Sequence, residues 1–240
     1  MWPFHRTSTL LSSGIFRGLT DWHSHLLPGV DDGVQSLSES LAALAYYEQI
    51  GISEVWLTPH IMEDIPNTTS ELREVYEQLI EAYKGGIKLH LASENMIDNL
   101  FDQRLEAGDL LRLGNDKHLL VETSYFNSPM HFYKRLERIK DSGYTPVLAH
   151  PERYVYMGHS DYQHLKAMGI LFQLNLPSLS GMYGRQAMKN AEWLLASGFY
   201  NLLGTDIHSL ADHQQQFLAP IKQTIIKAVQ NEISHWHTKL

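Results

Sequence analysis

Two histidines one residue apart, His23 and His25, stand in the run Thr20-Asp21-Trp22-His23-Ser24-His25. They end a short apolar strand predicted over residues 18–22. Strand side chains alternate between faces, so imidazoles two residues apart point to one side, where a single cation can take both. The pair alone says little. The chain has 14 histidines, and a second H-x-H, His235 and His237, lies in a polar tail where solvation accounts for it. The later strand ends give the first pair its weight. His60, Glu94, Glu122, His150 and the pair Asp206 and His208 each fall at the end of a later apolar stretch. The chemistry implied is that of a metal site. Imidazole and carboxylate donors without sulfur suit manganese, iron, zinc or cobalt.

Such residues need a frame that gathers strand ends. Ser36-Leu37-Ser38-Glu39 is a capping box that opens a helix to about Ile50, stopped by Gly51. Residues 55–58 read as a strand delivering Pro59-His60. A second helix is capped at Thr68 and carries Leu72, Val75, Leu79 and Ile80 as its apolar stripe, before Gly85-Gly86. Strands over residues 87–92, 118–121, 145–149, 170–174 and 201–203 deliver Glu94, Glu122, His150, Asn175 and Asp206-x-His208. Helices are predicted near 99–107, from Ser128-Pro129 to Gly143, over 161–168 and 184–197, and from about 214 to the C-terminus. Strands alternating with helices predict an α/β fold with a parallel sheet, and seven such units predict a distorted (β/α)7 TIM-like barrel. Barrel enzymes carry their functional groups at the C-terminal ends of the strands. The remaining histidines, His5, His90, His118, His131, His159, His164 and His213, fall on strand starts, helices or loops and are expected to be structural or solvated.

Composition narrows the classes. At 240 residues and 43% hydrophobic content, one large domain is expected. Residues 1–17 read as an extension, either a poorly anchored arm or a surface-packed segment, and 18–240 as the barrel. The net charge of −8 argues against a nucleic-acid partner. There is no cysteine, which excludes disulfides, thiolate metal sites and a cysteine-nucleophile phosphatase mechanism. No stretch reaches the ~18 apolar residues of a membrane span, and the first residues lack a signal-peptide pattern, so the cytoplasm is expected.

Taken in order, H-x-H, Asp31, Thr58-Pro59-His60, Ser93-Glu94, Val121-Glu122, His150-Pro151-Glu152-Arg153-Tyr154 and Asp206-x-His208 resemble the polymerase and histidinol phosphatase (PHP) superfamily. The run from His23 to Gly33 and the phrase His150 to Tyr154 resemble, within it, the bacterial metal-dependent protein-tyrosine phosphatases encoded with capsule and exopolysaccharide genes. The match spans residues 19–209. The resemblance implies a distorted seven-stranded barrel with three divalent metal ions, manganese first. His23, His25, Glu94 and Asp206 would hold one ion. Glu94 would bridge to a second, completed by Glu122 and His150. Asp31, His60 and His208 would hold the third. Three divalent cations outweigh the four carboxylates in this set, which favours a dianionic phosphate monoester.

The reaction implied is hydrolysis of phosphotyrosine by a metal-bridging hydroxide, with Glu94, Arg153 and Asp206 as the residues closest to the chemistry. Arg153 follows the ligand His150 by three residues and suits a bidentate phosphate clamp. Glu152 is expected to orient Arg153 or a loop backbone group. A phenol leaving group of pKa near 10 needs little acid assistance, and no dedicated general acid is identified. The implied partner is the phosphotyrosine-rich tail of a bacterial tyrosine autokinase.

Two departures stand out. No arginine follows Asp206-x-His208, leaving His213, Gln214 or Lys222 as substitutes, and Asn95 follows Glu94 where an aromatic is usual. Tyr125, Phe126, Met130, Tyr154 and Tyr156 are candidates for an aromatic rim. The alternatives are a PHP-type phosphoesterase acting on a small-molecule phosphate, an amidohydrolase or DNase-like metal hydrolase, and a metal-stabilised binding protein. Glu122 in place of a modifiable lysine and the acidic balance weigh against the amidohydrolase and the DNase.

Overall fold

Strands and helices alternate along the chain largely where the capping signals predict them. The structure, a computed structural model, describes residues 6–114 and 117–236; His5 and His237 lie outside them, so the tail pair His235-x-His237 is not described. In order come β1 (Thr7–Thr9), α1 (Leu10–Ser13), β2 (Thr20–Ser24), α2 (Leu37–Ile50), β3 (Glu54–Leu57), β4 (His60–Ile61) and α3 (Thr69–Ala82). Next are β5 (Lys88–Leu91), β6 (Glu94–Met96), α4 (Asn99–Ala107), β7 (His118–Glu122), α5 (Phe132–Asp141), β8 (Thr145–Ala149) and α6 (His159–Ala167). The chain continues through β9 (Leu171–Asn175), α7 (Gly184–Ala196), β10 (Leu202–Gly204), α8 (Leu210–Phe217), β11 (Pro220–Lys222) and α9 (Gln223–Trp236). Ser36 and Glu39 exchange the reciprocal bonds of a capping box at α2, as Thr68 and Glu71 do at α3.

The sheet is parallel and curled, and runs in two pieces. One has the order β2-β3-β5; the other has the order β10-β9-β8-β7-β6-β4. The expected barrel of seven intact strands is met only in part, because the second and third strands each break. Thr58-Pro59 separates β3 from β4, and Ala92-Ser93 separates β5 from β6. Proline has no N–H to give to a ladder, so the chain bends there. His60 and Glu94 are the first residues after the two breaks, and they pair in register. β2 and the segment that follows β10 meet without a ladder. Asp206 N–H donates to His23 O (2.8 Å) and His25 N–H to Ile207 O (2.9 Å). Below them the buried Asp21 accepts from Thr205 N–H (2.8 Å), Thr205 Oγ1 (2.7 Å) and Tyr47 OH (3.1 Å).

Inside the curl, Trp56, Leu120, Val147, Ala149 and Leu202 form a small core under the strand ends. The larger core lies between sheet and helices. The early segment is packed: β1 pairs antiparallel with β11, Leu10 and Phe16 are buried, and Phe16 lies 4.6 Å from Phe217, centroid to centroid. Two expected helices differ. Ser128-Pro129 does not open α5, which starts at Phe132 after His131. The single last helix is instead α8 and α9 divided by β11, because Pro220 cannot continue a helix and its neighbours pair with β1. No helix among the described residues is long and apolar enough to cross a membrane.

Candidate metal centre

The strand ends converge on a buried knot of imidazoles and carboxylates. Two of its members sit in left-handed backbone, His150 at φ 33° and Asp206 at φ 55°. A non-glycine residue there costs about 1–3 kcal/mol. The turns hold because their N–H groups are tied, Asp206 N to His23 O and His150 N to Gln173 Oε1 (3.3 Å). At Gly204 a Cβ would lie 2.4 Å from the His23 Cβ, so only glycine lets β10 pass beside His23.

Glu94 is the centre of the knot. Its Oε2 lies 3.1 Å from His23 Nε2, 3.4 Å from His25 Nε2 and 3.2 Å from His60 Nδ1, and its Oε1 lies 2.9 Å from His150 Nε2. Asp206 Oδ1 lies 3.4 Å from His23 Nε2 and 3.3 Å from His25 Nε2. Glu122 Oε1 lies 3.1 Å from His60 Nδ1. Donor atoms bound to one ion at about 2.0–2.2 Å stand roughly 3.0–3.4 Å apart along a polyhedron edge, so these spacings fit shared cations. Three overlapping groups result: His23, His25, Glu94 and Asp206; His60, Glu94 and Glu122; and His25, Asp32, His60 and His208, with donor atoms within 4.8 Å of one another in each. His60 Nδ1 and Glu122 Oε1 face each other without hydrogen-bond geometry, and His150 Nδ1 is buried with no hydrogen-bond partner. Orphaned groups of this kind are expensive unless a cation or water completes them.

Outer partners fix which nitrogen faces inward. His25 Nδ1–H donates to Asp31 Oδ2 (2.8 Å), His23 Nδ1–H to Gln173 Oε1 (3.0 Å) and His208 Nδ1–H to Asp206 O (2.9 Å). Each leaves an Nε2 lone pair for a cation, the arrangement found around metal-binding histidines. Asp31, expected as a ligand, lies outside the three groups. Its carboxylate also accepts from Gly33 N–H (2.9 Å) and His60 N–H (3.0 Å), which occupies it in the turn. The neighbouring Asp32 points the other way, with Oδ1 3.4 Å from His208 Nε2 and 3.5 Å from His60 Nε2. Adjacent residues in a tight turn face opposite sides. Gly33 permits that turn, since a Cβ there would sit 2.2 Å from His25 O. His60 joins two groups, and His150 Nε2 stands 3.9 Å from Glu122 Oε2 as well as beside Glu94.

Charge follows this geometry. Burial opposes a proton on His23, but Glu94 and then Asp206 outweigh it and hold the imidazolium up to about 9. Burial likewise opposes ionisation of Glu94 and Asp206, yet the surrounding imidazoles keep both carboxyls well below their usual range. Without metal, then, protons play the part of the cations. The folded pKa of His23 exceeds its unfolded value, so its contribution to stability is full below about 6.5 and fades as pH rises through about 9. The metal-free protein is expected to lose melting temperature between pH 7 and pH 9.5, whereas the manganese-loaded protein stays level. Manganese titrated in at pH 7.5 should displace protons, read as a heat that depends on the buffer's ionisation enthalpy. A buffer-independent heat would remove these histidines from the ligand set.

Above the knot lies a cavity of about 290 Å³ whose wall includes Arg153, Tyr125, Tyr183, Asp32 and His208. The Arg153 guanidinium lies between two rings, 4.2 Å from the Tyr125 centroid and 4.0 Å from that of Tyr183, and its Nη1 donates to Asp206 Oδ2 (2.8 Å). Asn175 Nδ2 donates to the same oxygen (2.7 Å). Of the two roles expected of Glu152, orienting Arg153 or a loop backbone group, its hydrogen bonds fit the second. Glu152 is buried and accepts from Asn175 N–H (3.0 Å), Ser178 Oγ (2.8 Å) and Tyr200 OH (2.9 Å). Of the expected aromatic rim, Tyr125 lines the cavity. Tyr154 is fully buried, the Tyr156 hydroxyl pairs with Thr123, and Phe126 and Met130 are exposed. Lys222 pairs with Glu192 (2.9 Å) on β11. His213, expected to be structural or solvated and also named as a substitute for the missing arginine, lines the cavity, but its nitrogens face the carbonyls of Ser209 and Thr205. Sequence reasoning placed Asn175 at a strand end without a role, and missed Tyr183, Gln173 and Asp32. The signal for Asp32 is the Asp-Asp-Gly turn itself; no motif marks the others.

Residues 19–235 match the family described as capsular polysaccharide synthesis, CpsB/CapC. The chain is 28% identical over 198 residues to tyrosine-protein phosphatase YwqE of Bacillus subtilis (strain 168), covering 80% of this chain and 78% of that one. It is 26% identical over 211 residues to tyrosine-protein phosphatase CpsB of Streptococcus pneumoniae, covering 80% and 84%. Among solved structures it matches one from a study of YwqE and CpsB, described there as unique metal-dependent tyrosine phosphatases. The TM-score is 0.74 at 28% identity, over 83% of this chain and 85% of that chain.

Proposed function

The chain belongs to the CpsB/CapC family of capsular polysaccharide synthesis, and on that basis we propose that it is a metal-dependent protein-tyrosine phosphatase. The observation that carries this reading is Arg153, held by two tyrosine rings and Asp206 over three groups of metal-competent side chains. We assign His23, His25, Glu94 and Asp206 to one divalent ion, Glu94, Glu122 and His150 to a second, and Asp32, His60 and His208 to a third, with manganese as the first choice. Bound there, such ions supply the Lewis acidity that makes water nucleophilic near neutral pH and offsets charge on a phosphoryl group.

The chain's own residues do the rest. With Nη1 on Asp206, Arg153 keeps its other N–H donors for phosphate oxygens, and its stacked plane fixes their direction. Asn175 shares the load on Asp206 Oδ2, so Asp206 Oδ1 stays turned to the histidines. The rings of Tyr125 and Tyr183 border the place of the substrate's aryl group. No side chain is required to protonate a phenolate leaving group, whose pKa is about 10. The phosphotyrosine tail of a tyrosine autokinase, met in the cytoplasm, is the partner this site suits, because a flexible segment reaches a strand-end cavity without unfolding.

The test is turnover of p-nitrophenyl phosphate and of phosphotyrosine and phosphoserine peptides. Chelation should abolish it and manganese restore it, with phosphotyrosine favoured. Undiminished activity after complete removal of metal would sink the proposal.

A further inference from the structure

His208 is a wall between two hollows. On one side lies the cavity over the metal ligands. On the other is a cleft of about 340 Å³ between the turn at Gly33, the start of α2 and the start of α8. The two share His208 and Ser209. Their linings differ in kind. The first presents Arg153, Asp206 and Asp32, whereas the cleft presents Val34, Ala42, Leu210 and Ala211. Glu39 stands at the cleft's edge, but its carboxylate is taken by the N–H groups of Gln35 (2.7 Å) and Ser36 (3.1 Å), where it caps α2. No metal ligand but His208 borders the cleft, and a small phosphate ester seated beside Arg153 has no use for it.

We propose that this cleft is a specificity subsite for an apolar side chain of the polypeptide substrate, within two residues of the phosphotyrosine. The inference rests on the phosphatase reading above. Its occupant follows from continuity with the substrate cavity and from chain geometry. In an extended segment, side chains two residues apart stand on one face about 7 Å apart, so a chain crossing the His208 ridge lowers one side chain on each side. An acidic neighbour is disfavoured, because the Glu39 carboxylate borders the cleft.

The experiment uses the manganese-loaded full chain, p-nitrophenyl phosphate as reference, and phosphotyrosine peptides carrying Leu, Asp or Gly at each position from −2 to +2. Wild type is compared with Ala42→Trp and Ala211→Trp. Both alanines are exposed helix positions, so an indole fills the cleft without entering the core. At one position, Leu should exceed Gly and Asp in kcat/KM by about fivefold to thirtyfold, the gain from burying most of a leucine side chain. Both variants should erase that preference while p-nitrophenyl phosphate turnover stays within about twofold of wild type. A wild type with no positional preference above about twofold overturns the subsite, as does a preference that survives in both folded variants. Failure to hydrolyse even p-nitrophenyl phosphate is a different result, and overturns the phosphatase reading itself.

Discussion

Glu94→Gln abolishes phosphatase turnover and lowers metal content by more than one ion per chain; that is the largest expected effect of any single change. Glu94 faces four histidines, three through Oε2 and one through Oε1. An amide keeps the shape but removes the charge that two cations would share, and offers N–H where a ligand oxygen would be needed. The loss should exceed the roughly 10–100-fold typical of removing an outer partner of a metal site. Glu152→Gln is the matched control. Its Oε1 accepts from Asn175 and Ser178, which an amide oxygen also does, and the Tyr200 hydroxyl can turn to accept from the new NH₂. Burial already raises the Glu152 pKa, so losing that charge is tolerated. Full metal content, a native circular dichroism spectrum and most of the activity are expected. Elemental analysis decides: metals retained in Glu94→Gln, or lost in Glu152→Gln, would refute the ligand assignment.

Arg153→Lys should lower kcat/KM for a phosphotyrosine peptide by about a hundredfold, or about 2.7 kcal/mol, with metal content unchanged. Lysine keeps the charge but not the plane that lies between Tyr125 and Tyr183. Each such contact is worth about 0.5–2 kcal/mol. A single ammonium also cannot bond Asp206 and grip phosphate in a fixed fork. Inhibition by inorganic phosphate should weaken in parallel, since the product uses the same donors. Wild-type kinetics with wild-type phosphate inhibition would place Arg153 outside the reaction. Metal lost along with rate would instead make its bond to Asp206 the main role.

Which side chains are metal-competent, and that they sit at strand ends, is legible in the chain alone. Alternation of apolar runs with capping boxes is local, and it marks the strands delivering His60, Glu94, Glu122, His150 and Asp206. The two-residue period of a strand puts His23 and His25 together. Local signals end where direction depends on contacts distant in sequence. Asp31 and Asp32 are equivalent in composition; only His25 Nδ1 and the N–H groups of Gly33 and His60, packed around Asp31, turn that carboxylate inward and leave Asp32 to the cavity. Pro59 is visible in the chain, but its power to split the sheet emerges only when its neighbours pair. Tyr183 reaches Arg153 from the loop before α7, and Gln173 reaches His23 across 150 positions. These are side-chain contacts between strand ends and loops, set by how the sheet curls. Chain spacing carries no record of them, because the curl is fixed by packing of the whole sheet against its helices and not by any single strand.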